Sequence, residues 1–198
     1  MRKLLIIQAF LLASLGQALA DAPTVTDART TVLGWFAGYE FVPTEAHFKQ
    51  VGPLLGPALA SIALDVDADL FARARAVSAM IHAPGPYTEP VLAAIAEAQA
   101  AESVLRRKAV EVLALNHGDT YVDLVASVFA NAGDDLPLRE ACARALTSMP
   151  GEAARATRAR LHSLEKSEIV RGLLAEPKAL VAPLKATPVG DRFQRVQP

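Results

Sequence analysis

The whole chain of 198 residues holds one cysteine, Cys142, and a lone thiol closes no internal disulfide. A disulfide-stapled fold is therefore excluded, and stability has to come from packing. Aromatic residues are scarce, at 6%, while alanine dominates an apolar fraction of 52%. That combination favours closely packed helices over sheets. Neither sign of charge is in excess, since 20 Lys and Arg face 21 Asp and Glu. Nucleic-acid binding needs a clustered basic surface, so no nucleic-acid partner is expected. Spanning a bilayer takes about 20 consecutive apolar residues, and no such run exists. A Gly-rich phosphate loop, a Gly-x-Ser-x-Gly nucleophile elbow and metal-ligand spacings among the histidines are also missing. No catalytic residue, cofactor or metal is therefore expected.

The first apolar stretch points to export. Arg2 and Lys3 form a positive start, and Leu4 to Leu15 is apolar apart from Gln8 and Ser14. Ala18-Leu19-Ala20 fits the small-x-small rule of signal peptidase, with cleavage before Asp21. The expectation is a signal peptide over 1–20, a periplasmic or secreted protein, and no membrane attachment once it is cut. No cysteine follows the apolar run to accept a lipid. Losing Arg2 and Lys3 leaves 18 bases against 21 acids, still no polyanion footprint.

Self-comparison at a shift of 33 residues aligns much of the remainder. Gly52, Gly85, Gly118 and Gly151 keep step. So do Leu59, Leu92 and Val125, and Ile62, Ile95, Val128 and Leu161. Further along each unit come Ala76, Ala109 and Cys142, then Met80, Leu113 and Leu146. Apolar residues three and four apart, as in Val91, Leu92, Ile95 and Ala96, predict a helix soon after each glycine. A short Asp, Asn or Gly loop follows, and a second helix opens with Asp69, Glu102 or Asp135. A glycine closes each unit, where a left-handed backbone ends a helix. One such hairpin cannot bury its apolar stripe alone, so units must stack. Cys142 then fills an alanine-sized slot and reads as a buried structural thiol.

The second helices carry a recurring signature: Leu105-Arg106-x-x-Ala109-x-x-Val112-Leu113 and Leu138-Arg139-x-x-Cys142-x-x-Ala145-Leu146. Ala72-Arg73-x-x-Ala76-x-x-Ala79-Met80 is a weaker copy, and Val170-Arg171-x-x-Leu174 a trace one residue out of step. Over roughly 52–176 this resembles the HEAT-repeat family, particularly the short repeats of phycobilin-lyase-like proteins. The resemblance implies an all-α, right-handed α-solenoid of HEAT-like helical hairpins, about four units plus an N-terminal cap. A period of 33 is nearer that of ankyrin and tetratricopeptide repeats, whose own signatures are absent. Tetratricopeptide-like hairpins stay as the alternative. The expected layout is a signal peptide at 1–20, an aromatic-rich cap at 21–51, repeats at 52–177 and a flexible tail at 178–198.

The cap holds Trp35, Phe36, Tyr39, Phe41 and Phe48, five of the chain's eleven aromatics. They read either as a cover for the open end of the first hairpin or as a ligand pocket. The ladder Arg73, Arg106 and Arg139 has an acid four residues before each member, the favoured order for helix ion pairs. It is expected to be structural, and the HEAT resemblance likewise implies arginines tying neighbouring units together. His82 and His117 fall at helix ends, where imidazole suits the dipole; His47 and His162 form no ligand pattern with them.

What remains on the second helices is Arg75, Arg107, Lys108, Glu111, Glu140 and Arg144, the candidate partner-binding residues. In HEAT-like solenoids this helix lines the concave side. Mixed charge suits a protein or peptide partner. The expected function is thus an exported, non-enzymatic scaffold or adaptor. The alternative is a chromophore-binding enzyme of the phycobilin-lyase type, against which stand Cys142 in its small slot and the export signal.

Overall fold

A computed structural model describes residues 23–38 and 41–175 of the chain. The expected signal peptide at 1–20, the expected tail at 178–198 and the ring of Tyr39 lie outside the described residues. Among the described residues every regular element is helical. In chain order these are α1 (Val25–Ala37), α2 (Glu45–Val51), α3 (Leu55–Leu64), α4 (Leu70–Ala79), α5 (Glu89–Glu97), α6 (Ser103–His117), α7 (Val122–Asn131), α8 (Leu136–Ser148), α9 (Glu152–Leu164) and α10 (Glu168–Leu174). Short 3₁₀ turns join α2 to α3, follow α4, and join α6 to α7.

Local chemistry sets the helix starts. Thr24 and Asp27 form a reciprocal capping box on α1, with Asp27 N–H donating to Thr24 Oγ1 at 3.2 Å and Thr24 N–H to Asp27 Oδ2 at 2.8 Å. The Asp69 carboxylate accepts from the Phe71 and Ala72 N–H groups at 2.9 and 3.2 Å, opening α4. Asp135 accepts from Leu138 N–H at 3.0 Å, opening α8. Each such cap satisfies donors that the first turn leaves unpaired, worth typically about 1 kcal/mol.

The helices pair as hairpins: α3 with α4, α5 with α6, α7 with α8 and α9 with α10. The second helices also pack in succession, α4 on α6, α6 on α8 and α8 on α10. Helix α1 covers the first hairpin by packing on α3 and α4. The 33-residue columns supply the core between these layers. Leu59, Leu92 and Val125 are buried, as are Ala76, Ala109 and Cys142, and Met80, Leu113 and Leu146. Alanine and cysteine in the middle column let second helices approach closely, while the flanking leucines and methionine fill the space above and below. Polar links cross between units: Tyr121 Oη donates to Glu89 Oε1 at 2.7 Å, and Asn116 Nδ2 to the Met80 carbonyl at 3.4 Å.

The repeated glycine serves two purposes. Gly118 ends α6 at φ +52°, a region that L side chains rarely adopt, and a Cβ there would meet no atom within 4 Å. Gly118→Ala is therefore a pure backbone test, expected to cost about 1–3 kcal/mol. Urea denaturation would read it, and an unchanged midpoint would remove the conformational argument. Gly151 instead sits at φ −73° before α9. Its N–H donates to Asp119 Oδ1 at 3.0 Å, and a Cβ would fall 1.5 Å from Asp119 Oδ2. Here close approach requires the glycine.

The arginine ladder is structural by a different geometry from the expected i, i+4 pairing. Asp69 and Asp135 cap their helices, as above, and the arginines reach across to other elements. Arg73 Nε donates to the Ala63 carbonyl at 3.2 Å and Arg106 Nε to the Ala96 carbonyl at 3.0 Å, each a late carbonyl of the preceding helix. Arg73 also meets Glu102 of the next hairpin at 3.5 Å. Arg139 lies over the Phe129 ring and pairs with Glu165, which follows α9. Two of the three arginines thus bridge neighbouring units.

Candidate functional site

The face of the second helices opposite the core is where the six candidate residues fall, and the structure divides them. On α6, burial of Leu105, Ala109, Val112 and Leu113 turns Arg107, Lys108 and Glu111 away from the core. On α8, burial of Leu138, Cys142, Ala145 and Leu146 does the same for Glu140 and Arg144. Arg107, Lys108, Glu111 and Arg144 then line one groove between α6 and α8, of about 390 Å³, together with Leu115 and Ala141. Lys108 Nζ meets Glu111 Oε2 at 3.3 Å, and Arg144 Nη2 meets Glu140 Oε2 at 2.9 Å. Exposed pairs of this kind contribute only about 0–1 kcal/mol, so a ligand can displace them at small cost. Glu140 is half-buried and enters the site through Arg144 alone.

Arg107 adds the most informative feature. Its Nε is buried and has no hydrogen-bond partner. A buried guanidinium N–H without an acceptor costs free energy, and an acceptor delivered by a partner would recover it.

Arg75 is occupied elsewhere. Its guanidinium donates to the carbonyls of Phe36, Gly38 and Phe41 at 3.2, 3.1 and 2.7 Å. It also lies over the rings of Phe36 and Phe71, at 5.2 and 5.4 Å. Arg75 thereby ties α4 to the segment that leaves α1. It borders a second groove, also about 390 Å³, walled by Phe36, Phe48, Phe71 and Val104. Lys108 lines both grooves, so the charged one and the aromatic one adjoin along the second helices.

Two of the cap aromatics pack into the first hairpin and also border a groove. Phe36 and Phe48 are buried in the core and also wall the aromatic groove. Trp35 meets Phe48 edge-on with centroids 6.0 Å apart, and His82 stacks on Phe48 at 4.7 Å. Exposed Phe71 and Leu115 belong to the site and escaped sequence analysis. Their signal was available, because each is a large apolar residue outside the 33-residue core columns.

Cys142, His47 and His117 are not among the residues that line either groove. Burial pushes the Cys142 thiol up to about 12, against the opposing influence of Arg106, so it carries no thiolate at neutral pH. His47 Nδ1 accepts from the Thr44 N–H at 3.1 Å in a helix cap. His117 lies 3.9 Å from Glu89, beside Tyr121. Among the described residues no group of three His, Cys, Asp or Glu is arranged to hold a metal. Among them, too, no helix is long and apolar enough to cross a membrane.

No protein-family signature matches this chain, and neither curated proteins nor solved structures yield a match.

Proposed function

We propose that this chain is a HEAT-like, right-handed solenoid that acts as an exported, non-enzymatic adaptor. It binds a polar segment of a protein partner along the face of its second helices. One observation carries this reading: Arg107, Lys108, Glu111 and Arg144, from two successive units, converge on one groove, where Arg107 Nε has no acceptor. The adjoining aromatic groove offers apolar side chains of the same segment a place to pack. A site with both signs of charge selects a polar peptide over a polyanion.

The test is site-specific photo-crosslinking in the periplasm or secreted fraction of the source cell. A crosslinker at Leu115, in the groove, is expected to capture a protein partner. The same probe at Leu164, exposed at the end of α9, is expected to capture none. Arg107→Ala with Arg144→Ala should weaken capture at Leu115 by about a hundredfold or more, since hydrogen bonds to charged groups contribute roughly 1.5–3 kcal/mol each. Equal capture from both positions would remove the groove from the proposal. The aromatic walls also admit the chromophore-enzyme reading. A saturable change in the absorption of an added tetrapyrrole, abolished by Phe71→Ala, would favour that reading instead.

A further inference from the structure

The last unit breaks the repeat at a core column. Positions 59, 92 and 125 carry Leu, Leu and Val, all fully buried, and the next member in the 33-residue register is Arg158. It lies on α9 and only 6% of it is exposed. Its Nε and Nη1 are buried and have no hydrogen-bond partner. A buried guanidinium with no acceptor is among the costlier features a core can hold. An aliphatic residue, as in the three earlier units, would avoid that cost altogether.

The surroundings say what would satisfy it. Arg158 lines a cavity of about 320 Å³ between α9 and the end of α10, together with Arg155, His162, Leu174 and Ala175. Arg155, Arg158 and His162 are spaced i, i+3 and i+7, which puts three nitrogen-bearing side chains on one face over two helical turns. Arg155 Nη1 already donates to the Pro150 carbonyl at 3.1 Å, which holds that side chain at the first turn of the helix. Among the described residues lining the cavity there is no carboxylate.

We propose that this cavity binds a small oxyanion, a phosphate or carboxylate group, with Arg158 as its buried anchor and Arg155 and His162 at its rim. Nη2 pairs with either Nε or Nη1 along an edge of the guanidinium that matches two oxygens of such a group, the bidentate geometry that makes arginine its usual receptor. The site is separate from the groove between α6 and α8, and neither proposal depends on the other.

Inorganic phosphate and acetate, each titrated against sodium chloride at matched ionic strength, test it on the intact chain. The readouts are thermal stability and the ¹⁵N–¹H signal of Arg158 Nε. At least one anion is expected to raise the melting temperature saturably and shift that signal, whereas chloride does neither. Arg158→Leu restores the residue type of the other units, so it should fold and lose the anion effect entirely. Arg155→Gln should weaken binding by about tenfold, the lower end of the scale of one charge-assisted hydrogen bond. Phosphate acting without acetate would identify a phosphate site, and the reverse a carboxylate site. No saturable effect of either anion, or an effect that survives in Arg158→Leu, would overturn the proposal.

Discussion

Ala109→Arg is expected to unfold a large part of the chain. Ala109 is fully buried on α6, the helix that packs on α4, α5 and α8 at once. Overpacking a well-filled site costs about 1–3 kcal/mol. A buried charge without a partner adds about 3–5 kcal/mol. Their sum rivals the whole stability of a typical domain, about 5–15 kcal/mol. The damage should also spread, because each hairpin leans on the next for one wall of its core. Glu111→Gln, on the opposite face of the same helix, should change stability by about 0.5 kcal/mol or less. Thermal melts followed by far-UV circular dichroism would compare the two. An Ala109→Arg protein that melts like the unmutated one, or two equally damaged variants, would mean that the faces of α6 are wrongly assigned.

That comparison rests on faces that two independent regularities fix in the sequence. Helical spacing marks a stripe within each unit, and the 33-residue register repeats it, so Leu92, Ile95, Ala109 and Leu113 could be placed in the core from residue order alone. The acids before the ladder arginines were legible as helix starts. Their hydrogen-bond partners were not, because a carboxylate at a helix start chooses between a side chain one turn on and the nearer backbone N–H groups. Asp69 and Asp135 take the backbone, which frees Arg73 and Arg139 to cross to the neighbouring unit. Arg75 shows where the register stops helping. Its place on α4 reads as open surface, yet the carbonyls of Phe36, Gly38 and Phe41 come back over it. The path of an irregular segment depends on contacts far along the chain, which periodicity does not encode. Arg107 lay within reach, whereas its unsatisfied Nε depends on the packing of α6 against α8, visible only in three dimensions.

Replacing Glu165 with glutamine is expected to destabilise the end of the array in a pH-dependent way. Glu165 follows α9, its side chain is almost fully buried, and it pairs with Arg139 of α8. It also accepts from the Ser167 N–H at 2.7 Å, so one carboxylate joins the preceding helix to the start of α10. Burial on its own would raise the carboxyl pKa. Hydrogen bonds from Arg139 and the Ser167 backbone, with the arginine's charge, outweigh burial and hold it below its ordinary 4.5. A carboxyl whose folded pKa is lowered stabilises the fold fully above its unfolded value and loses that contribution as pH falls through the folded one. Glu165→Gln keeps the shape but discards the charge, and charge-assisted hydrogen bonds are worth about 1.5–3 kcal/mol. The stability gap between the unmutated protein and Glu165→Gln should therefore be widest near neutrality. It should narrow steadily as acid passes about pH 4.5 and close below the folded pKa. Urea melts of both proteins across that range would measure it. A gap that stays constant with pH would show that Glu165 holds α8 and α10 together by shape, with its charge contributing nothing.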